Sequence, residues 1–363
     1  MRAASIWTGM VTLAAVLGLA VVAQGIDLEF IGDLGNGASS AMFTPCASGG
    51  GCTAGTPNAL GDVGYRYGIG KTEVTNPEYI QFLNAVAADD IHGLYHGRMT
   101  SNPHGGIIRN GVSGTYTYSL KSAAFANKPA THIRFYQAVR FANWMQNGQP
   151  SGAQGPGTTE TGTYDIAGTG DIINNLIQRS AGAVWALPNP DEYAKAGFYS
   201  PGAGGSSGAD YYDYATSSNT APGTVEVDAN GDVTNSATAN IANLFCGVSG
   251  PCNWNTTTTG NVTNVGGPGV LSESPYGLAN AQSNVSEWIE SISTIDASHR
   301  VKTKNSWGSG SAQTLSNFFG TSGNLTSGSN PREDEGFRLV AIPEPATLAL
   351  LGIGGLMVLR RRR

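Results

Sequence analysis

Hydrophobic residues recur at helical spacing in three short stretches of the chain. The first begins at residues 75–78 (TNPE), where a Thr cap, a Pro in the first turn and a Glu three residues after the cap are typical of a helix N-terminus. Ile80, Leu83, Val86 and Ala87 follow at helical spacing. This pattern predicts a helix that begins after Thr75.

The other two stretches also predict helices. Residues 189–192 (NPDE) repeat the cap pattern and predict a helix that runs to about Tyr199. Residues 134–146 (RFYQAVRFANWMQ) predict an amphipathic helix. Its apolar face comprises Phe135, Ala138, Val139, Ala142 and Met145.

Shorter apolar runs predict strands. They cover residues 28–31, 65–74, 115–120, 284–291, 300–307 and 336–342. Between them, residues 92–128 and 202–269 are polar and lack periodicity. Connections of that length are unusual in a compact domain unless they are functional or pinned. Helices early and short strands late indicate one irregular, loop-rich α+β domain.

Composition agrees with a loop-rich exported domain. Gly occurs 51 times, and charged residues make up only 13% of the chain, about half the usual share. The net charge is −6, and without residues 1–23 and 344–363 the remainder has 15 basic and 25 acidic residues, a net charge of −10. Because nucleic-acid binding requires concentrated positive charge, this composition argues against a nucleic-acid partner.

The first 23 residues resemble a secretory signal. Arg2 precedes an apolar run over residues 10–23, and Val21 and Ala23 are small residues at the spacing of a cleavage site. We expect cleavage before Gln24. A retained membrane helix is the alternative, although the run is short for a span of about 20 residues.

The C-terminal residues combine three features in order. Pro343, Glu344 and Pro345 precede an apolar run over residues 346–359, and Arg360, Arg361, Arg362 and Arg363 follow it. The arginines favour a cytoplasmic end. This arrangement resembles the PEP-CTERM sorting signal of Gram-negative bacteria. The resemblance implies an exosortase-type sorting peptidase as partner, at least transient membrane anchoring, and a location at the cell envelope or extracellular surface. The predicted layout is a signal peptide (1–23), one domain (24–342) and a sorting segment (343–363).

Four cysteines form two similar pairs. Cys46 and Cys52 enclose five residues, as do Cys246 and Cys252. An oxidising compartment favours disulfides, and we expect local pairing because short flexible loops close easily. Cross-pairing of the two loops is the alternative.

Six motifs in order resemble the sulfatase-modifying-factor superfamily, which includes the formylglycine-generating enzyme. They are GKTEVTN (70–76) leading to FLN (82–84), KPATHIR (128–134) leading to ANW (142–144), WALPNPDEYAKA (185–196), YGL (276–278) with NVSEW (284–288), residues 300–307, and GFRL (336–339). The match spans roughly residues 64–342. It implies an irregular variant of the C-type-lectin-like fold.

The large side chains in these motifs are predicted to be core residues. They are Trp144, Trp185, Trp288, Trp307 and Phe337. Arg338 lies between two apolar residues and is expected to face inward, where it needs a carboxylate partner. Glu192 and Glu287 are both candidates.

The resemblance also implies a calcium site. In the family, the turn before the NxxEW segment binds calcium through carbonyls and a glutamate, and oxygen ligands of this kind suit calcium. The matched positions are Gln282, Ser283, Val285 and Glu287, with Ser283 in place of the usual Gly. Alternatively, Glu287 pairs with Arg338 or caps local amides.

The family's catalytic cysteine pair is absent. In the formylglycine-generating enzyme, two cysteines bind copper and oxidise a substrate cysteine. The corresponding region here, between Asn305 and Glu335, contains no Cys and instead carries Ser306, Trp307 and residues 309–311. Hydroxyls cannot replace thiolates as copper ligands. We therefore expect no copper and name no catalytic residue.

No other enzyme signature is present. The chain has neither H-E-x-x-H nor G-x-S-x-G, and His92, His96 and His104 lie in Gly-rich sequence, where we expect solvated loop side chains. The predicted function is an exported, noncatalytic module that binds a carbohydrate or protein ligand of the cell envelope or exopolysaccharide matrix. The alternative is a divergent oxidoreductase of the formylglycine-generating enzyme family that modifies sulfatase-type substrates.

Overall fold

The computed structural model describes residues 25–43, 58–167, 177–244, 261–292, 299–322 and 330–343. The predicted signal segment lies outside these residues, as do all four cysteines of the predicted disulfides. Of the sorting residues, only Pro343 is described, whereas Glu344, Pro345 and the four arginines are not.

Short helices and strands alternate with irregular segments. The helices are α1 (Asn76–Val86), α2 (Arg98–Ser101), α3 (Phe135–Gln146) and α4 (Pro190–Phe198). The strands are β1 (Leu28–Ile31), β2 (Met42–Phe43), β3 (Asn58–Ala59), β4 (Tyr67–Gly70), β5 (Ile107–Asn110), β6 (Thr117–Leu120), β7 (Trp185–Ala186), β8 (Gly223–Thr224), β9 (Ile241–Ala242), β10 (Ser286–Ile292), β11 (Arg300–Thr303), β12 (Phe319–Ser322), β13 (Glu335–Gly336) and β14 (Val340–Ala341). The prediction of a loop-rich α+β fold is confirmed.

One four-stranded sheet joins the two ends of the described chain. Its order is β1-β4-β14-β7, so the last strand lies in the interior of the sheet. β14 pairs antiparallel with both β4 and β7. β1 also pairs antiparallel with β4. β1 and β14 therefore run in the same direction.

A second sheet brings two of the sequence motifs together. Its order is β12-β11-β10-β13, and β13 runs parallel to β10 with Glu287 opposite Gly336. A Cβ at Gly336 would lie 2.9 Å from a methyl group of Val285 and 3.1 Å from the carbonyl of Ala130. Only glycine permits this approach, which places the Gly336–Leu339 segment against the turn before β10.

The predicted cap of α1 is present in the structure. Thr75 is the N-cap, and its amide donates to Glu78 Oε2 over 2.7 Å. The cap of α4 is built in the same way, with Glu192 N donating to Asn189 Oδ1 and Asn189 N donating to Glu192 Oε2, each over 2.8 Å. Both helices therefore begin where the local pattern predicts.

α3 forms where the sequence predicts a helix, and its predicted apolar face is buried. Its polar side is buried as well, so the helix is buried on every face from Phe135 to Met145. Its polar side chains have specific partners. Arg140 donates to both carboxylate oxygens of Glu160 over 2.7 and 3.0 Å, and Asn143 Nδ2 donates to the carbonyls of Thr159 and Tyr164. Paired polar groups of this kind can be buried without a large penalty.

Aromatic residues form much of the core. All five predicted core aromatics are buried. Trp144, Trp185, Trp288 and Phe337 belong to the main cluster, and Trp307 to a smaller cluster with Phe125, Val262 and Val285.

Candidate functional site

The turn that follows β11 occupies the region where the resemblance places the family's chemistry. Ser306 Oγ donates to Asp334 Oδ2 over 2.8 Å, and the Ser306 amide donates to Ser309 Oγ over 2.9 Å. Ser309 Oγ in turn donates to the carbonyl of Lys304 over 3.1 Å. The hydroxyls in this turn therefore hold the local backbone and a carboxylate.

Trp307 packs against a histidine from a distant loop. Its ring stacks on that of His104, with 4.4 Å between the centroids and 21° between the planes. His104 is only 5% exposed, so the expectation of a solvated loop histidine is wrong for this residue. The indole Nε1 of Trp307 is buried and has no hydrogen-bond partner among the described residues.

A second buried histidine lies beside the first. Thr131 Oγ1 has one proton, which it donates to the carbonyl of His104 over 2.9 Å. Its contact of 3.0 Å with His132 Nδ1 is therefore one in which the imidazole donates. In the neutral ring, Nε2 then carries a lone pair, and this buried atom has no hydrogen-bond partner among the described residues.

The charge states of this region are set by burial and by nearby cations. Burial, together with the positive charge of His104 and His96, lowers the pKa of His132 to about 3. Burial opposes ionisation of Asp334, but Lys302 and Arg332 outweigh it and hold the pKa of this carboxyl at about 2. Near neutral pH, His132 is therefore uncharged and Asp334 is ionised.

We call His104, His132, Ser306, Trp307 and Asp334 the indole–imidazole cluster. Exposed residues border it, among them Arg98, Gly308 and Arg332. Its unused hydrogen-bonding atoms are one donor, the indole N–H, and one acceptor, the imidazole Nε2. A hydroxyl group both accepts and donates, so it is able to satisfy either atom.

Neither His132 nor Asp334 is poised for proton transfer at neutral pH. A general base works best when its pKa lies near the operating pH. The pKa values of His132 and Asp334 both lie several units lower. Neither group is suited to activate Ser306 as a nucleophile.

The turn of the predicted calcium site lies at the start of β10, with Asn284 at a φ of 65°. Arg338 donates to both carboxylate oxygens of Glu287, over 2.6 and 2.7 Å. Gln282 Oε1 accepts the amide of Ala215 over 2.7 Å, while Ser283 and Val285 are buried. The structure thus contains the ion pair that the sequence offered as an alternative, and calcium at this turn stays a prediction.

The other candidate partner of Arg338 has a different role. Glu192 caps α4 and accepts from Arg179 over 2.9 Å at both of its oxygens. Of the two carboxylates that the sequence offered as partners of Arg338, Glu287 is therefore the one that forms the ion pair.

Glu73 lies beside this ion pair and was not predicted from the sequence to have a special role. Its carboxyl is fully buried and accepts from Asn284 Nδ2 over 3.0 Å. Burial, with the negative charge of Glu287, raises the pKa of Glu73 to about 8 although Arg338 opposes the shift. Glu73 lies within the GKTEVTN motif (70–76), but nothing in that motif or in the periodicity indicates that its carboxyl is buried beside a second carboxylate.

The described residues lack two features, a clustered set of potential metal ligands and a helix able to cross a membrane. They contain no group of three or more His, Cys, Asp or Glu side chains arranged to hold a metal ion. None of the helices found in them has the length and apolar character needed to cross a membrane.

Comparison with protein families gives two matches. The family model of the sulfatase-modifying factor enzyme 1-like domain matches residues 47–342. The PEP-CTERM protein-sorting motif matches residues 341–363. This motif indicates export and exosortase-mediated sorting in Gram-negative bacteria, with membrane association at the C-terminus. A search of curated proteins found no match.

Several solved structures resemble the chain over most of its length. CarF is 16% identical, covering 88% of this chain and 99% of its own, with a TM-score of 0.37. Variable protein 1 of Treponema denticola is 16% identical, covering 88% and 95%, with a TM-score of 0.43. PvdO from Pseudomonas aeruginosa is 14% identical, covering 83% and 90%, with a TM-score of 0.41.

The family match and the observed elements agree on a loop-rich α+β fold of the formylglycine-generating enzyme type. The finer description of that fold as C-type-lectin-like stays a prediction.

Proposed function

The chain belongs to the family of sulfatase-modifying factor enzyme 1-like domains, and we propose that it is an exported, surface-anchored module that binds a ligand without catalysing a reaction. The ligand we favour is a carbohydrate of the cell envelope or exopolysaccharide matrix. A protein ligand of the same compartment is the second candidate.

The observation that carries this proposal is the pair of unused buried atoms in the indole–imidazole cluster. The Trp307 N–H and the His132 lone pair are both desolvated without a protein partner. Leaving a buried polar atom unsatisfied costs about 1–3 kcal/mol. Both atoms are buried in this structure, so the proposal requires the exposed residues that border the cluster to move aside when a ligand binds. A ligand hydroxyl that then satisfies either atom gains this energy, which favours a hydroxyl-rich ligand.

The electrostatics of the cluster support binding over catalysis. With the pKa of His132 at about 3 and that of Asp334 at about 2, neither of these two groups acts as an acid or base near neutrality. The hydroxyls of Ser306 and Ser309 already hold the turn together.

The alternative, a divergent oxidoreductase acting on sulfatase-type substrates, needs a reactive thiol pair. The region between Asn305 and Glu335 has no cysteine. Titration of free thiols in the purified mature protein, combined with copper analysis, tests this alternative. Free thiols together with bound copper would favour the oxidoreductase and overturn the noncatalytic proposal.

A glycan and exopolysaccharide screen tests the binding proposal, and two buried tryptophans give a matched pair of variants. Trp307→Phe keeps a ring stacked on His104 but removes the unpartnered N–H. We expect this variant to bind the identified ligand about fivefold more weakly, which corresponds to the loss of one hydrogen bond of roughly 1 kcal/mol. The free energy of unfolding should change little. Trp144→Phe removes an N–H that donates to the carbonyl of Pro150 over 2.9 Å. It should lower stability but leave the affinity unchanged.

Two outcomes would contradict the proposal. One is a folded wild-type protein that retains no glycan or envelope protein in the screen. The other is a Trp307→Phe variant that binds the identified ligand as tightly as the wild type does.

A further inference from the structure

The geometry of the first sheet assigns a membrane-facing end to the domain, and we propose that Phe30, Leu34 and Tyr65 contact the lipid headgroup layer there. The inference rests on the surface anchoring stated in the proposed function. It adds which face of the domain lies against the bilayer.

The first step is the position at which the chain leaves the domain. In β14, Ala341 pairs with Gly68 of β4 on one side and with Trp185 of β7 on the other. The Ile342 amide then donates to the carbonyl of Val184 over 2.7 Å. The chain therefore leaves the sheet at the end where β4 and β7 begin.

The same end carries exposed apolar side chains. β1 runs in the direction of β14, so Leu34 follows β1 at this end. Tyr65 lies two residues before the start of β4, at the same end. Phe30 pairs with Gly68, the residue that also pairs with Ala341, and so lies two strands or about 10 Å from the exit. The exposed fractions are 59% for Phe30, 55% for Leu34 and 40% for Tyr65.

These three are among the seven exposed large apolar side chains of the described residues. Among the described residues, the other exposed large apolar side chains are Ile91, Val112, Val270 and Leu271. Arg66, beside Tyr65, is also exposed and offers a cation for lipid phosphates.

Covalent reach then limits the distance to the membrane. The apolar run of the sorting segment begins at Ala346, only three positions after Pro343, with Glu344 and Pro345 between them. At roughly 3.3–3.6 Å per residue, this connection spans at most about 11 Å. The headgroup layer on each side of a bilayer is about 5–8 Å thick. While the anchor is embedded, the exit end of the sheet must lie at or close to that layer, which makes lipid the occupant of the apolar surface.

Quenching by lipids that carry a nitroxide in the headgroup region tests this orientation. A fluorescent amino acid is introduced at position 34 of the full chain, which is reconstituted into vesicles. The same amino acid at position 112, in the turn between β5 and β6 and outside this sheet, is the control. We expect the nitroxide lipid to reduce emission at position 34 and to have little effect at position 112. In the same vesicles, Phe30→Ser should weaken quenching at position 34, and Val112→Ser should not.

Flotation of the vesicles separates the failure of this inference from that of anchoring. A chain that floats with the vesicles but shows equal or no quenching at the two positions overturns the inference and leaves surface anchoring intact. The probe at position 34 could instead be protected from solvent, to the same extent in vesicles and in detergent, without being quenched by the nitroxide lipid. That result would mean that the sorting segment or a second copy of the chain covers this surface, and it would also overturn the inference. A chain that does not float removes both the inference and the anchoring on which it rests.

Discussion

Arg338 and Glu287 form a bidentate ion pair that is completely buried, with N–O distances of 2.6 and 2.7 Å. The same guanidinium donates to the carbonyl of Gly70 over 3.0 Å and to that of Ala279 over 3.1 Å. One side chain near the C-terminus thereby joins β4, the turn before β10 and β10 itself. The pair connects three of the family motifs through a single charged group.

Removing one partner of this pair should be costly. We expect Arg338→Met to lower the free energy of unfolding by about 3–5 kcal/mol, because Glu287 would remain buried without a counter-charge. Chemical denaturation of the mature protein measures this change. Arg338→Met combined with Glu287→Leu should be less destabilised than the single variant. Lys71→Met, which removes a partly exposed ion pair with Glu29, is the control and should cost at most about 1 kcal/mol. Equal costs for Arg338→Met and Lys71→Met would contradict the prediction.

Glu73 should make stability fall as the pH rises. Its pKa is raised from 4.5 to about 8 in the folded protein, so the folded state favours the protonated carboxyl. This contribution is fully present below pH 4.5 and is lost as the pH rises through about 8. Glu73→Gln keeps a neutral side chain at every pH. The stability of the wild type relative to this variant should therefore decline between about pH 5 and pH 8, by at most roughly 1.4 kcal/mol per pH unit. A difference that stays constant across this range would show that Glu73 titrates normally.

His132 should act in the opposite direction and at lower pH. Its pKa falls from 6.5 to about 3, so the folded state favours the neutral ring. The associated stability is present above pH 6.5 and is lost as the pH falls toward 3. His132→Asn suits the φ of 59° at this position, because Asn tolerates left-handed backbone. We expect the wild type to lose stability relative to this variant between pH 6 and pH 4, and NMR titration of the ring should find no protonation near pH 6. Protonation at that pH would refute the assignment of a neutral buried imidazole.

The turn over residues 282–287 is the place to test calcium. Arg338 already holds both oxygens of Glu287, so we expect weak binding, in the range of about 10⁻⁴–10⁻³ M found for extracellular modules. Calcium at 100 times its dissociation constant should then stabilise the folded protein by about 2.7 kcal/mol, measured as a rise in melting temperature that a chelator reverses. Magnesium is the control. A melting temperature that is insensitive to both calcium and chelator would remove calcium from the description of this turn.

The features that could be predicted from the sequence are those determined by residues that are close together in the chain. The caps at Thr75 and Asn189 depend on positions three apart, and both helices begin where they were expected. The inward orientation of Arg338 also followed from its two apolar neighbours. Its partner could not be chosen, because that depends on the parallel pairing of β13 with β10.

The misassigned residues owe their environment to contacts that are distant in sequence. His104 lies in Gly-rich sequence typical of a solvated loop, yet it is buried because Trp307 stacks on it. Arg140 and Asn143 gave α3 a polar side, but Glu160 and the carbonyls of Thr159 and Tyr164 take up those groups in the interior. Local periodicity contains no information about such partners.

The indole–imidazole cluster could be anticipated only in part. Trp307 and Ser306 were noted because they stand where the family has its thiols. His132 and Asp334 were not, since their charge states come from burial and from Lys302, Arg332 and the other histidines. The unsatisfied atoms of Trp307 and His132 exist only in the assembled structure.

The interior position of β14 determines how the domain responds to mechanical force. When a force pulls the domain away from the membrane that holds its C-terminus, the force enters the domain through Pro343 along the axis of β14. That pull shears the hydrogen bonds to β4 and β7 together instead of peeling an edge strand away one bond at a time. The next point of resistance is Arg338, two residues upstream, whose salt bridge passes the tension into β10. We therefore expect the domain to withstand extraction by its own tether better than a fold of equal stability that ends in an edge strand.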